Sequence, residues 1–190
     1  LLGDGSSYSV FFIDRNGTPL INTNVDVIID GIKYDYRTNE FGEINVDMEL
    51  APKSYLVTVI NPDSGEYIES IINVYAPIIE NRDLVMYYTG GNYYTVKIIG
   101  HDGKALGSGV PVKFSIAGKN YNVKTDRNGY ASLKISLKPN KYVVTVHYAN
   151  YKVSNKITVK PVLTAKNISK KNGKVIKFKA KLVNGKGKPL

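Results

Sequence analysis

The chain has 190 residues, 43% of them hydrophobic, and 26 Lys and Arg against 16 Asp and Glu, for a formal net charge of +10. That is apolar chain enough for one or two cores. It has no cysteine, which removes thiolate nucleophiles, zinc–thiolate sites and disulfide staples, and no run of 18 apolar residues, so no direct membrane insertion is expected of this fragment. The opening Leu1-Leu2-Gly3-Asp4 does not read as a signal peptide, so the export signal of an exported parent would lie outside the fragment.

Apolar and polar residues alternate with a period of two, the pattern of half-buried strands. In the first half strands are expected at Tyr8–Asp14, Val25–Ile29, Lys33–Asn39, Glu43–Leu50, Tyr55–Ile60 and Tyr67–Val74. Asn16-Gly17 and Asp30-Gly31 supply tight turns, because both residue types tolerate φ > 0. In the second half strands are expected at Asp83–Tyr88, Tyr93–Ile99, Val110–Ile116, Asn120–Thr125, Tyr130–Leu137, Lys141–Tyr148 and Lys152–Val159, with a hairpin-type turn at Asn128-Gly129. Past Pro161, Phe178, Ala180 and Leu182 alternate with lysines. No segment has helical periodicity. Short strands at this spacing predict an all-β chain of antiparallel β-sandwiches.

A shift of 87 residues lays one half on the other: Gly31 on Gly118, Tyr34 on Tyr121, Thr38 on Thr125, Gly42 on Gly129, Leu50 on Leu137, Pro52 on Pro139 and Tyr55 on Tyr142. Val57-Thr58-Val59 falls on Val144-Thr145-Val146. Such self-similarity predicts tandem repeats at 1–76 and 77–160. The ending Gly187-Lys188-Pro189-Leu190 parallels Gly17-Thr18-Pro19-Leu20, so 161–190 reads as the first strands of a truncated third repeat, expected to be poorly ordered or to borrow a neighbour's sheet edge. Gly42 and Gly129 permit a turn, and Pro52 with Tyr55, and Pro139 with Tyr142, fix the approach to the following strand. Leu50, Leu137, Val57 and Val144 are expected in the core, with Tyr34, Tyr55, Tyr121 and Tyr142 in the core or locking turns.

Little in the sequence carries chemistry, and no catalytic, cofactor-binding or metal-binding residue is assigned. His101 and His147 stand in no constellation that spacing flags. Asp14-Arg15-Asn16-Gly17 and Asp126-Arg127-Asn128-Gly129 look like fragments of a calcium loop but lack its further acidic ligands, and Asx turns explain them. Tyr87, Tyr88, Tyr93 and Tyr94 flank Gly90-Gly91 and are a candidate aromatic platform for sugars, set against ordinary strand packing. Asn16-Gly17-Thr18 and Asn167-Ile168-Ser169 fit the glycosylation acceptor pattern. Lys97 and Asn155 are candidates for a Lys–Asn isopeptide bond.

The charge is divided unevenly. Residues 1–76 carry 12 acidic against 4 basic side chains, 77–160 carry 4 against 13, and 161–190 carry 9 lysines and no acid. A basic balance invites nucleic acid, but no nucleic-acid module pattern accompanies it, so no nucleic-acid partner is expected. On one strand of the first repeat the outward Glu43, Asn45, Asp47 and Glu49 become Tyr130, Ser132, Lys134 and Ser136 in the second. Drift of solvated surface explains this, and weak self-association of acidic with basic repeats is the competing expectation.

The recurring T-[DN]-x-x-G-x-[AI]-x-[LV], followed by L-x-P-x-x-Y-x-V-T-V, resembles the immunoglobulin-like (Big-type) repeats of invasin-like adhesins. The Lys-, Asn- and Tyr-rich style is most similar to the adhesin-like cell-surface proteins of methanogenic archaea. CnaB-type and carboxypeptidase-regulatory-like sandwiches share the L-x-P-x-x-Y segment. The resemblance implies an extracellular, non-catalytic stalk or adhesin at the cell surface or cell wall, without cofactors, whose partner is a host or microbial cell-surface protein or glycan. The alternative is a carbohydrate-binding module using exposed tyrosines.

Overall fold

The computed structural model describes residues 7–47, 50–173 and 175–190, which form sixteen strands and no helix. The chain divides into two compact units. The first holds the chain to Pro77 and the second the chain from Ile78, except that the turn Ala149–Tyr151 groups with the first.

In the first unit β1 (Ser7–Phe11) pairs antiparallel with β4 (Glu43–Asp47). The other sheet orders β2 (Asn24–Ile29), β3 (Ile32–Arg37), β5 (Ser54–Ile60) and β6 (Tyr67–Asn73) as β3-β2-β5-β6. Alternation decides which face is buried. Val25, Val27 and Ile29 of β2 and Tyr55, Val57 and Val59 of β5 point inward, with Val27 opposite Val59 and Ile29 opposite Val57. Phe12, Ile44 and Val46 meet them from the β1–β4 side. Tyr34 is a correction: it stays 39% exposed on β3, the edge strand of its sheet.

In the second unit β7 (Ile78–Ile79), β9 (Tyr93–Ile98) and β12 (Tyr130–Lys134) form one sheet, ordered β12-β9-β7. The second sheet holds β8 (Leu84–Tyr87), β10 (Pro111–Ile116), β11 (Lys119–Lys124), β13 (Asn140–Tyr148) and β14 (Tyr151–Lys160), ordered β11-β10-β13-β14-β8. β8 runs parallel to β14, whereas β7 joins the other sheet. A first strand split between the two sheets, with A-B-E on one side and A′-G-F-C-C′ on the other, is an immunoglobulin-like β-sandwich. The first unit repeats B-E and C′-C-F-G. Phe114, Val96, Ile98, Val112, Val144, Val146 and Ile157 are fully buried between the second unit's sheets. Val57 and Val144 are buried as expected, and Leu50 and Leu137 are half-buried.

The Asn128-Gly129 turn does not close a hairpin. β11 pairs with β10 and β12 with β9, so the chain crosses from one sheet to the other at this turn. Asp30-Gly31 does close one, between β2 and β3, with φ of 48° and 81°. β15 (Leu163–Ala165) and β16 (Ala180–Leu182) belong to the second unit and pair antiparallel with each other, rather than adding to another sheet's edge.

Candidate functional site

What the two units repeat most faithfully is a clamp around the sheet-to-sheet crossing. Thr38 and Thr125 are the buried polar residues of the described chain, at 2% and 4% exposure. Each hydroxyl donates backward and accepts at once. Thr125 Oγ1 donates to the Gly107 carbonyl at 2.6 Å and accepts from the Val110 N–H at 3.0 Å. Thr38 Oγ1 donates to the Leu20 carbonyl and accepts from the Thr23 N–H at 2.9 Å. One side chain thereby joins the strand before the crossing to the loop that leads into the neighbouring strand.

Four residues later the chain must pass close to backbone. Gly129 has φ +80°, and a Cβ on it would lie 2.8 Å from the carbonyl oxygens of Ile98 and Leu106. Its own carbonyl accepts from the Ile98 N–H at 2.9 Å. Gly42 has φ +74°, and a Cβ there would lie 2.7 Å from the Phe12 carbonyl oxygen, while its carbonyl accepts from the Phe12 N–H at 2.8 Å. Both positions therefore need glycine for conformation and for space.

The turns are capped by one side chain each. Asp126 Oδ1 accepts from the N–H of Asn128 and Tyr130, and Asn39 Oδ1 from Phe41 and Glu43. Asp14 Oδ1 accepts from Asn16 and Thr18, and Asn184 Oδ1 from Lys186 and Lys188. The Thr18 amide contributes most to holding the Asp14 carboxyl below its ordinary range. These are Asx turns, so the calcium-like fragments serve the backbone. Among the described residues no group of three or more His, Asp or Glu is placed to hold a metal.

Tyr55 donates its hydroxyl to the Ala51 carbonyl at 2.8 Å, and Tyr142 to the Lys138 carbonyl at 2.9 Å. Both acceptors precede a proline, Pro52 or Pro139, so ring and proline together set the angle at which the next strand starts. A third shared bond links the sheets: Tyr8 Oη donates to Ser70 Oγ at 3.3 Å, and Tyr94 Oη to Asn155 Oδ1 at 2.6 Å.

The four-tyrosine platform is not assembled. Tyr94 is 2% exposed and meets Phe114 edge-on at 6.1 Å between ring centres, so it belongs to the core. Tyr93, next to it on β9, points the other way and is 55% exposed. Tyr87 and Tyr88 are half-buried. Tyr87 is covered by Lys160, whose Nζ stands 5.6 Å above the ring, and by Gly187, where a Cβ would come within 2.3 Å of ring carbon Cε2. Nor do Lys97 and Asn155 meet. Lys97 Nζ lies 3.7 Å from Glu80 Oε1 and 5.3 Å above the Tyr130 ring, whereas Asn155 takes the Tyr94 hydroxyl. Asn16, Asn167 and His101 are exposed.

The roles of Thr38 and Thr125 were not recognised in the sequence, although their identity across the 87-residue shift was the signal. The Gly90–Gly185 contact gave no signal at all: a Cβ on Gly90 would lie 2.6 Å from the Gly185 carbonyl oxygen, an approach between residues far apart in the chain.

No protein-family model matches the chain, and no curated protein matches it in sequence. Among solved structures it is similar to a tandem from titin (TM-score 0.37, 10% identity, 84% of this chain and 61% of that one). It is also similar to SGBP-B of the Bacteroides ovatus mixed-linkage glucan utilization locus, in complex with a mixed-linkage heptasaccharide (TM-score 0.31, 12% identity, 89% and 47%). A third likeness is to a 1.5-MDa bacterial ice-binding adhesin (TM-score 0.31, 19% identity, 83% and 59%). The chain spans about half to three-fifths of the length of these structures. Likenesses this distant carry no functional assignment.

Proposed function

We propose that the chain is a non-catalytic module of a cell-surface adhesin or stalk, built of repeats at 1–76 and 77–160 with a third begun at 161, and that it presents or contributes to the binding of another cell or matrix. The observation that carries this is the clamp. Thr38 and Thr125, the buried polar residues of the described chain, occupy equivalent positions and tie strand to loop in the same way. Polar chemistry inside each sandwich thus serves to hold the crossing in place, which is what a repeated spacer under tension requires. The third repeat is supported by a loop geometry that occurs three times. Ile13 bridges Pro19, Ile99 bridges Ala105 and Val183 bridges Pro189. On this reading the parent is a cell-surface protein whose partner is a host or microbial cell-surface protein or glycan.

Single-molecule extension of the chain by its ends tests the reading. Two separate unfolding events, each releasing on the order of 250 Å of chain at about 3.4 Å per residue, are expected. A chain that extends without such events is no stalk element. The alternative, a carbohydrate-binding module on the four tyrosines, has lost Tyr94 to the core and Tyr87 to its covering.

A further inference from the structure

We propose that the outer face of the five-stranded sheet in the second unit is a docking surface for an acidic, uronate-type polysaccharide. This deepens the reading of the chain as a binding module and rests on it.

The face carries Lys113 on β10, Lys124 on β11, and Lys152, Lys156 and Lys160 on β14, all exposed. Alternation fixes their direction, because Val112, Phe114, Ile157 and Val159 between them are buried. None of the five strands contains an Asp or Glu. Asp83, just before β8, accepts the backbone N–H of Lys156.

The first unit shows that the fold does not demand such a face. On its equivalent sheet Asp26 stands where Lys113 stands, and Asp26 and Asp35 flank one ammonium, Lys33 Nζ, at 2.9 and 3.6 Å. There the charges are paired on the surface, whereas in the second unit one sign is left uncompensated. Lys156 and Lys160 are four residues apart, about 13 Å at roughly 3.3 Å per residue. Neighbouring strands add about 5 Å each. Spacings on the order of the Debye length at 0.1 M salt let several of these charges act on one polyanion together.

The character of the polymer follows from what lies between the lysines. Asn122 and Thr158 offer amide and hydroxyl partners suited to sugar hydroxyls, and Thr145 and Ser154, whose hydroxyls bond each other at 2.9 Å, keep lone pairs for a further donor. Two rings lie on this face, Tyr87, which is already covered, and the half-buried imidazole of His147 opposite Lys113, so bases would find no run of exposed rings of the kind single strands need. The face is a five-stranded sheet and carries no helix to enter a duplex groove. Carboxylated sugars meet both features.

The test uses the whole 190-residue chain and polygalacturonate as probe. Retention is expected at low salt, decreasing steeply as salt rises, and undetectable for a neutral glucan. The double variant Lys113→Glu and Lys156→Glu is expected to bind at least tenfold more weakly while unfolding at the same temperature. Lys33→Glu, the same kind of charge change on the first unit, is expected to leave retention unchanged. Three results overturn the proposal: no retention at low salt, an equal loss with Lys33→Glu, or equal retention by single-stranded DNA or anionic vesicles. Failure to bind polygalacturonate by a chain that still gives two unfolding events removes the ligand and leaves the module.

Discussion

The two units share a frame of equivalent hydrogen bonds and differ in what surrounds it. Thr38 and Thr125, Gly42 and Gly129, Tyr55 and Tyr142 make the same bonds to the same backbone positions. The outward positions of the same strands change freely, Asp26 to Lys113 and Asp35 to Asn122. The division follows from cost. An unsatisfied buried hydroxyl partner or a Cβ inside a carbonyl's contact radius costs kilocalories, whereas an exposed charge swap costs little. Identity between repeats therefore marks the positions that decide the fold, and divergence marks surface available to a partner.

The hardest way to break the comparison is at the paired glycines. Gly129→Val adds backbone strain to a steric overlap with two carbonyls and is expected to destabilise the second unit by roughly 3–5 kcal/mol. Gly42→Val should do the same to the first. Gly118→Ala is the control, since it has φ +74° with open space around it and is expected to cost only about 1 kcal/mol. Urea unfolding of the three variants checks this. Equal midpoints for Gly129→Val and Gly118→Ala would show that the close approach is not real.

Next in size are the threonines. Thr38→Val and Thr125→Val keep the shape and leave a carbonyl and an N–H without their partner, an expected loss of about 1–3 kcal/mol each. The two losses should agree within about 0.5 kcal/mol if the clamp is one device used twice. A tolerated valine in one unit alone would break the equivalence.

The tyrosine corner sharpens the comparison further, because its two copies are not equally buried. Tyr55 is 7% exposed and Tyr142 half-buried. Removing one hydroxyl should cost about 1 kcal/mol for Tyr55→Phe and less for Tyr142→Phe, where water replaces the lost partner. Thermal unfolding of the pair gives the difference directly. A larger loss for Tyr142→Phe would contradict the burial seen in the structure.

The strands and the all-β class were legible because alternation is local, and β2, β5, β9 and β13 lie within one or two residues of their expected bounds. The partner of each strand was not legible. Asn128-Gly129 carries hairpin chemistry, yet Gly129 feeds the β9 edge, and only a contact between residues about thirty apart decides that. β7 is two residues long, too short for any alternation to register. The tyrosine platform failed for a related reason. Tyr93 and Tyr94 are neighbours in sequence and so face opposite sides of a strand, which a count of aromatic residues does not reveal. Of the four positions expected to face outward on β4 and beyond it, Asn45 is exposed and Glu43 half-buried, while the Asp47 side chain and residue 49 lie outside what the structure describes.

The smallest effect at neutral pH concerns the bond between sheets, and it grows with pH. Burial, with the Asp83 carboxylate adding to it, pushes the Tyr94 phenol up to about 12. In the unfolded chain the same phenol ionises near 10. Between those values the unfolded chain has released a proton that the folded chain keeps, so ionisation favours unfolding. The stability that Tyr94 contributes is thus whole below pH 10, decreases as pH rises toward 12 and is gone above it. Lysine and tyrosine side chains of any unfolded chain ionise near 10, so the wild-type profile alone does not isolate the effect. Tyr94→Phe does: it removes one titrating group and keeps the ring against Phe114. The expected result is a second unit whose urea midpoint decreases less between pH 9 and pH 11 in Tyr94→Phe than in the wild type, with the first unit's midpoint moving equally in both. Parallel pH profiles for the second unit in the two proteins would mean that the Tyr94 hydroxyl reaches water and that the cross-sheet bond to Asn155 does not seal it.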